Sequence, residues 1–283
     1  MSRDEAKPVG VAAGTLYIVS TPIGNLGDIT ARAVEVLSAC DVVLAEDTRR
    51  TRVLLDQHGI RAKIESLREH NEARSAPKVV ERLRAGGTAA LVSDAGTPLL
   101  SDPGERLVRT VIDAGLAVVP IPGASAVLAA LVASGLPSVP FTFLGFVPRK
   151  GRERTDFVDA LVALTHTAVC YESPERLSAT LTAWAEAGLG DRPLAVAREL
   201  TKRYEEVVRG TVRELAAYHP EEPWRGEVAL VVGGAQPVAL DEERLDTLAR
   251  ALRKEGVPAR EVARRLSEEH GAPRNLAYRL AHR

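Results

Sequence analysis

Leu91-Val92-Ser93-Asp94-Ala95-Gly96-Thr97-Pro98-Leu99-Leu100-Ser101-Asp102-Pro103-Gly104 is the stretch on which the fold reading turns. An apolar run at 89–93 enters it with strand character, and an amphipathic segment at 105–114 leaves it as a helix. A plain strand-to-helix connection needs about 2–6 residues. Here, positions 93–104 are twelve residues holding two aspartates, two glycines and two prolines. The prolines reduce the entropy lost when the loop is fixed, and Gly96 lets a ligand approach the backbone closely. Length and stiffness together mark a binding loop.

The same alternation extends outward on both sides. Strands are expected at 15–20, 41–45, 63–66 and 117–120, with helices at 29–37 (Asp28 as N-cap), 50–58 and 73–85. Repeated strand–helix units predict a parallel sheet covered by helices on both faces. After the turn at 137–140 a second series begins. Strands are expected at 141–145, 167–172, 194–198, 205–209 and 227–232. Helices are expected at 153–164 and from Pro174, capped by Ser173. A single short helix separates the last two strands, so part of this sheet is expected to be antiparallel. From 241 onward only helical periodicity remains, with Leu245, Leu248 and Leu252 on one face and further helices at 260–270 and 275–281. Glycine-containing turns between these helices give a helix-turn-helix-like pattern. The expected organisation is a flexible tail (1–14), two α/β domains (15–137 and 138–236) with a ligand cleft between them, and a small C-terminal helical domain (237–283).

Composition bounds the function. Of 283 residues, 45% are hydrophobic and 27% charged, which suits a folded protein. The net charge of −1 supplies no global field for nucleic acid, so any such contact must be local. Cys40 and Cys170 lie in apolar runs and read as buried reduced thiols; no ligand spacing for a metal is found. The N-terminus lacks the apolar core of a signal peptide and no stretch is long enough to cross a membrane, so a cytoplasmic location is expected.

Ligands of open α/β sheets bind beyond the carboxyl ends of the strands. Two more loops therefore matter. Residues 20–28 (STPIGNLGD) contain Gly24 and Gly27 but not the G-x-G-x-x-G spacing that cradles a pyrophosphate; a simple turn is the competing reading. Residues 121–126 (IPGASA) are small enough to leave ligand space, although Ser125 is equally suited to capping the next helix.

Eight segments then occur in order: TPIGNLGDIT (21–30), AEDTR (45–49), LVSDAGTPLLSDPG (91–104), PGASA (122–126), FLGFVPRKG (143–151), ESPERL (172–177), ARELTK (197–202) and GEVALVVGG (226–234). Together they resemble the ribosomal RNA small-subunit methyltransferase I group of the tetrapyrrole-methylase superfamily, over essentially 14–283. The resemblance implies two α/β domains of the tetrapyrrole-methylase type, S-adenosylmethionine held in the cleft, and a homodimer. It also implies a target on the small ribosomal subunit: the ribose 2′-hydroxyl of a cytidine in the decoding region of 16S rRNA. Carried over by motif, the donor would contact Ile23, Gly24, Asp94, Ala95, Gly96, Leu99, Ser125, Ala126, Glu172 and Leu200. Pro22 and Ile23 depart from the glycine-richer first loop of porphyrin-modifying relatives, which weakens a tetrapyrrole substrate more than it weakens the donor site.

An unactivated ribose hydroxyl needs a group to take or share its proton, and without a metal-ligand cluster a side-chain base is the simpler reading. Lys202 is the first candidate; pairing with Glu199 or a phosphate is its competing role. Glu46 and Asp47 are alternatives, with capping and pairing to Arg49 or Arg50 against them. His70 sits in a strand-to-helix loop and reads as an RNA contact or a plain surface residue. RNA phosphates are expected on Arg149, Lys150 and Arg152 in the loop after 141–145, and on Arg264, Arg265 and Arg274 in the tail. From Ala249 onward that tail carries nine Arg or Lys against four Glu. The basic segments disfavour a macrocycle methylase, and the long strand-end loops disfavour a non-catalytic RNA-binding protein.

Overall fold

The computed structural model describes residues 10–218, 223–235 and 242–283. Residues 1–9 of the expected tail, and the expected boundary at 236/237, lie outside them. The chain divides into two compact units, Met1–Gly234 and Ala235–Arg283.

The first sheet contains β1 (Thr15–Val19), β2 (Val42–Ala45), β3 (Ile64–Ser66), β4 (Ala89–Val92) and β5 (Ala117–Ile121), all parallel, in the order β3-β2-β4-β1-β5. Central β1 (TLYIV) and β4 (AALV) are buried at every position, as near-continuous apolar runs covered on both faces should be. Leu16, Ile18, Leu44 and Leu91 pack on one side with α3 (Glu69–Arg84) and α4 (Glu105–Asp113). Tyr17, Val19, Val43 and Val92 pack on the other with α1 (Ala31–Ala39) and α2 (Thr48–Gln57).

Two local expectations are revised. The first helix begins at Ala31, not 29, because the Thr30 hydroxyl accepts from Ala33 N at 3.1 Å; Asp28 instead ends a short 3₁₀ turn capped by Asn25. Helix α3 starts four residues before the expected 73 and runs through Pro77. The carbonyl that loses its donor there belongs to exposed Ala73, where water is available. The early start has a use: buried Glu72 accepts from Leu107 N at 2.8 Å, tying α3 to the first turn of α4.

The second sheet runs β6-β7-β10-β8-β9, from β6 (Phe141–Phe146), β7 (Thr167–Glu172), β8 (Pro193–Arg198), β9 (Glu206–Thr211) and β10 (Val228–Val232). Only β6 and β7 pair in parallel; the remaining pairs are antiparallel. One face is packed by α6 (Gly151–Ala163), α7 (Pro174–Trp184) and α8 (Val212–Ala216) around Leu161, Leu177, Leu181 and fully buried Trp184. The other face is packed by α5 (Ala126–Ser134), whose Val127, Ala130 and Leu131 meet Val169, Ala195, Ala197, Ala229 and Val231. A helix that follows the first sheet in sequence thus covers the second.

The C-terminal unit contains α9 (Glu242–Lys254), α10 (Ala259–Glu268) and α11 (Arg274–Ala281) around their own core of Leu245, Ala249, Val262, Leu266 and Leu280. Both cysteines are buried and free. Among the described residues no helix is long and apolar enough to cross a membrane.

Arg192 staples the second sheet. Its buried guanidinium donates to the carbonyls of Leu161, Val162 and Leu164 at the end of α6, and to Gly233 beyond β10. Replacing it by leucine removes the guanidinium bonds from all four carbonyls, of which Leu161 O keeps a bond from Leu164 N at 3.3 Å. Arg192→Leu is expected to lower the unfolding free energy by about 2–4 kcal/mol in urea denaturation.

Candidate functional site

The carboxyl ends of β1, β2, β4 and β5 deliver four loops to one edge of the first sheet, and short-range bonds stitch them together. Thr21 N donates to Gly96 O at 2.9 Å, and Gly96 N donates back to Thr21 O at 3.0 Å. The Thr21 hydroxyl reaches Ser93 O at 3.2 Å, and the Thr97 hydroxyl reaches Ala124 O at 3.1 Å. Asp94 accepts from Asp47 N at 3.0 Å, joining the β2 loop to the β4 loop. Gly96 has φ +82°, and a Cβ there would lie 3.2 Å from Ile23 Cγ2, so any other residue would strain the latch.

Against this edge and the second sheet lies a cleft of about 440 Å³. Ile23, Asp94, Ala95, Gly96, Ser125, Ala126, Glu172 and Leu200 all line it, as does Glu46. A smaller recess of about 210 Å³ shares Ile23, Arg50, Asp94, Ala95 and Glu227 with it and is bounded by Gly24 and Lys202. Leu99 lines neither volume. Its side chain packs with the apolar core beneath, beside Leu91 and Gly104. Ser125 does cap α5, accepting from Leu128 N.

Backbone strain collects here. Among the described residues, positive φ at non-glycine positions occurs at Leu99 (76°), Ser101 (69°), Glu199 (51°) and Thr201 (66°). All four fall in the two loops that bracket the cleft, each at a cost of about 1–3 kcal/mol. Such strain persists where the surroundings fix a functional geometry.

Lys202 lies across the first loop: a Cβ on Gly24 would sit 2.4 Å from its Cγ. Its ammonium donates to Glu199 at 2.8 Å and to Glu227 at 3.1 Å. Burial works against the charge, but these carboxylates outweigh it and raise the pKa, so the amine holds its proton at neutral pH. Glu172 is buried with its oxygens engaged by Ser173 N, the Thr180 hydroxyl and Arg176, which fixes the start of α7. Asp47 caps α2 and pairs with Arg49.

Several lining residues were not singled out from the sequence: Asp102, Arg50, Tyr171 and Glu227. Asp102 stood in the quoted loop and needed only attention to its second aspartate. Burial, then the negative charges of Glu46 and Asp94, push its carboxyl up to about 6. Glu227 was hidden by topology. It precedes an antiparallel strand, so the amino end of β10, not its carboxyl end, faces the cleft, with Val228 paired to Glu172 and Arg198.

The basic candidates divide. Arg149 and Lys150 are exposed before α6, and Arg152 pairs with Asp156 at 3.5 Å. In the tail, Arg264 is bound to Glu261 and Glu268, and Arg265 to Glu261, while Arg274 forms no ion pair among the described residues. His70 lies on the exposed first turn of α3. No cluster of metal-ligating side chains occurs among the described residues.

Two α/β layers meeting over loops at the carboxyl ends of a parallel sheet define the class. Residues 15–216 match the family profile of Tetrapyrrole (Corrin/Porphyrin) Methylases. Solved structures agree on the fold: diphthine synthase superposes with TM-score 0.61 at 16% identity, over 77% of this chain and 90% of that one. The uroporphyrin-III-C-methyltransferase of Thermus thermophilus gives 0.54 at 21%, over 78% and 94%. Among curated proteins, the ribosomal RNA small subunit methyltransferase I of Mesorhizobium japonicum is 48% identical, over 93% of this chain and 90% of its own. The proteins of that name from Escherichia coli O157:H7 and Bacillus subtilis are 46% and 43% identical, each over 95% of this chain and 94% of theirs. The chain belongs to the ribosomal RNA small subunit methyltransferase I family of the tetrapyrrole methylases.

The methyl donor is S-adenosylmethionine, and the residues present fit it. The cleft is of cofactor size, and five carboxylates (Glu46, Asp94, Asp102, Glu172 and Glu227) line it against one guanidinium (Arg50), which suits a sulfonium cation. Below about pH 6 Asp102 is neutral; above it the carboxylate is ionised and attracts the cation. Donor affinity is therefore expected to rise roughly threefold to tenfold between pH 5 and pH 7.5 in calorimetric titrations, and Asp102→Asn to flatten that rise.

Proposed function

We propose that this chain transfers the methyl group of S-adenosylmethionine to the ribose 2′-hydroxyl of a cytidine in the decoding region of 16S rRNA, acting on the small ribosomal subunit in the cytoplasm. One observation carries the reading: the donor-sized cleft adjoins a second recess, with which it shares five lining residues, and that recess is walled by Lys202, Arg50 and Glu227, charged groups suited to a hydroxyl. The relatives' names point the same way.

The donor brings a reactive methyl group, and the protein supplies position and electrostatics. Ile23, Asp94, Ala95, Gly96, Ser125, Ala126, Glu172 and Leu200 hold it, with Gly24 beside it at the smaller recess and Leu99 supporting the loop from below. Glu46, which lines the cleft, accepts the hydroxyl proton. Lys202 accepts a proton only after passing its own to Glu199 or Glu227; as an ammonium it donates to the acceptor oxygen. Arg149, Lys150 and Arg152, with Arg274 and, once their exposed carboxylate partners are exchanged for phosphates, Arg264 and Arg265, bind the RNA backbone.

Incubation with small subunits and S-adenosylmethionine is expected to place one methyl on a cytidine 2′-oxygen, mapped by mass spectrometry; a base-methylated or unmodified product overturns the reading. Lys202→Ala is expected to slow transfer about a hundredfold with donor affinity kept. Lys202→Arg, which cannot act as a base, separates the two roles of the lysine: retained rate assigns donation, and loss assigns proton acceptance.

The proposed assembly is a homodimer. Helix α5 (AVLAALVAS) is apolar around its whole circumference, a pattern that calls for cover on every side. The second sheet covers one face, but Leu128 and Val132 stand 52% and 77% exposed, and Val139 in the following turn is exposed as well. A second copy of the chain would bury them. Val132→Glu is expected to convert a dimer to a monomer in sedimentation velocity, with the fold intact.

A further inference from the structure

The segment after β8 carries a feature that neither the fold nor the donor site uses. Tyr204 is 65% exposed, and the Arg203 guanidinium lies 5.6 Å from its ring centroid. An exposed aromatic ring stabilises nothing in the core, and Arg203 makes no ion pair among the described residues. The pair does not ride on a slack loop. Lys202 N donates to Glu199 O at 2.9 Å, Glu205 N to Lys202 O at 3.2 Å, and Thr201 N to the Glu205 carboxylate at 2.5 Å. Glu199 N is bonded to Glu227 O at 3.0 Å, which anchors the turn to the start of β10. Two residues in this turn hold positive φ, so its shape is maintained against a backbone preference. Lys202, two residues from Tyr204, walls the smaller recess. The turn therefore presents an exposed tyrosine, and a guanidinium without an ion pair among the described residues, within two residues of the lysine that walls the volume assigned to the acceptor.

Unpaired nucleobases are recognised by stacking on aromatic rings and guanidinium planes, because every base has a π-face. A ribose hydroxyl enters a recess only when its nucleotide leaves the stack, which costs free energy that a new stacking partner offsets. We infer that Tyr204 and Arg203 form a shelf on which an unpaired base adjoining the methylated nucleotide stacks, holding the single strand at the mouth of the recess. The inference rests on the RNA reading above and names the part of the substrate that this turn recognises: a base face, with the adjoining phosphate on Arg203.

The test is steady-state methylation of small ribosomal subunits by the full chain, with donor affinity measured separately by calorimetry. Tyr204→Ala is expected to raise KM for the subunit roughly tenfold while kcat and donor Kd stay at wild-type values. Tyr204→Phe, which keeps the ring, is expected to restore KM, and Arg203→Ala to raise KM with a shallower dependence on salt. Wild-type KM in Tyr204→Ala overturns the shelf. So does equal impairment in Tyr204→Phe, which would assign the hydroxyl, or a parallel loss of donor binding, which would assign a merely structural role to the turn. A wild-type chain that methylates no RNA overturns the functional reading itself, an outcome distinct from these.

Discussion

The paired backbone bonds between Thr21 and Gly96 hold the site together. Four loops leave the first sheet at one edge, and each alone would be a mobile connection. The reciprocal bond joins the first loop to the long one, the Thr21 and Thr97 hydroxyls extend the join to the β4 end and the β5 loop, and Asp94 extends it to the β2 loop. Glycine suits this approach, since its φ of +82° is left-handed and a Cβ would crowd Ile23 Cγ2 at 3.2 Å. The cleft wall is consequently preformed, and strain at Leu99 and Ser101 is held in place by the latch on one side and by the half-buried Leu99 side chain packed on the core on the other.

Charge is distributed to match. Carboxylates gather on the wall shared by the β2 and β4 loops, while Lys202 is neutralised by two glutamates from the second sheet's side. A cation entering the cleft meets uncompensated negative charge, whereas an anion meets little free positive charge until it reaches the rim. Donor and acceptor are thus sorted by sign before any specific contact is made.

Much of this was legible in the sequence because the first sheet obeys a simple rule. Parallel strands that alternate with helices send their carboxyl ends to one edge, so the loops after 19, 45, 92 and 121 name the site directly. The rule fails where the chain reverses. Antiparallel β10 brings Gly226 and Glu227 to the cleft from its amino end, and periodicity carries no sign of direction. Leu99 was assigned to the cleft by its position in a motif, but a left-handed backbone turns its side chain into the core. Thr30 displaced Asp28 as a cap because both are good caps and only the path of the preceding 3₁₀ turn decides between them. The fully apolar sequence of α5 announced burial without saying against which sheet.

That last point has a consequence for synthesis. Helix α5 is finished at Ser134, yet the strands that shelter it are not complete until Val232, roughly a hundred residues later. At ribosomal elongation speeds this leaves a greasy helix waiting on the order of 5–20 s for its cover. During that interval the nascent chain is an adhesive intermediate, and the ordering of its two sheets makes a holding chaperone, or the ribosome surface itself, a natural temporary host.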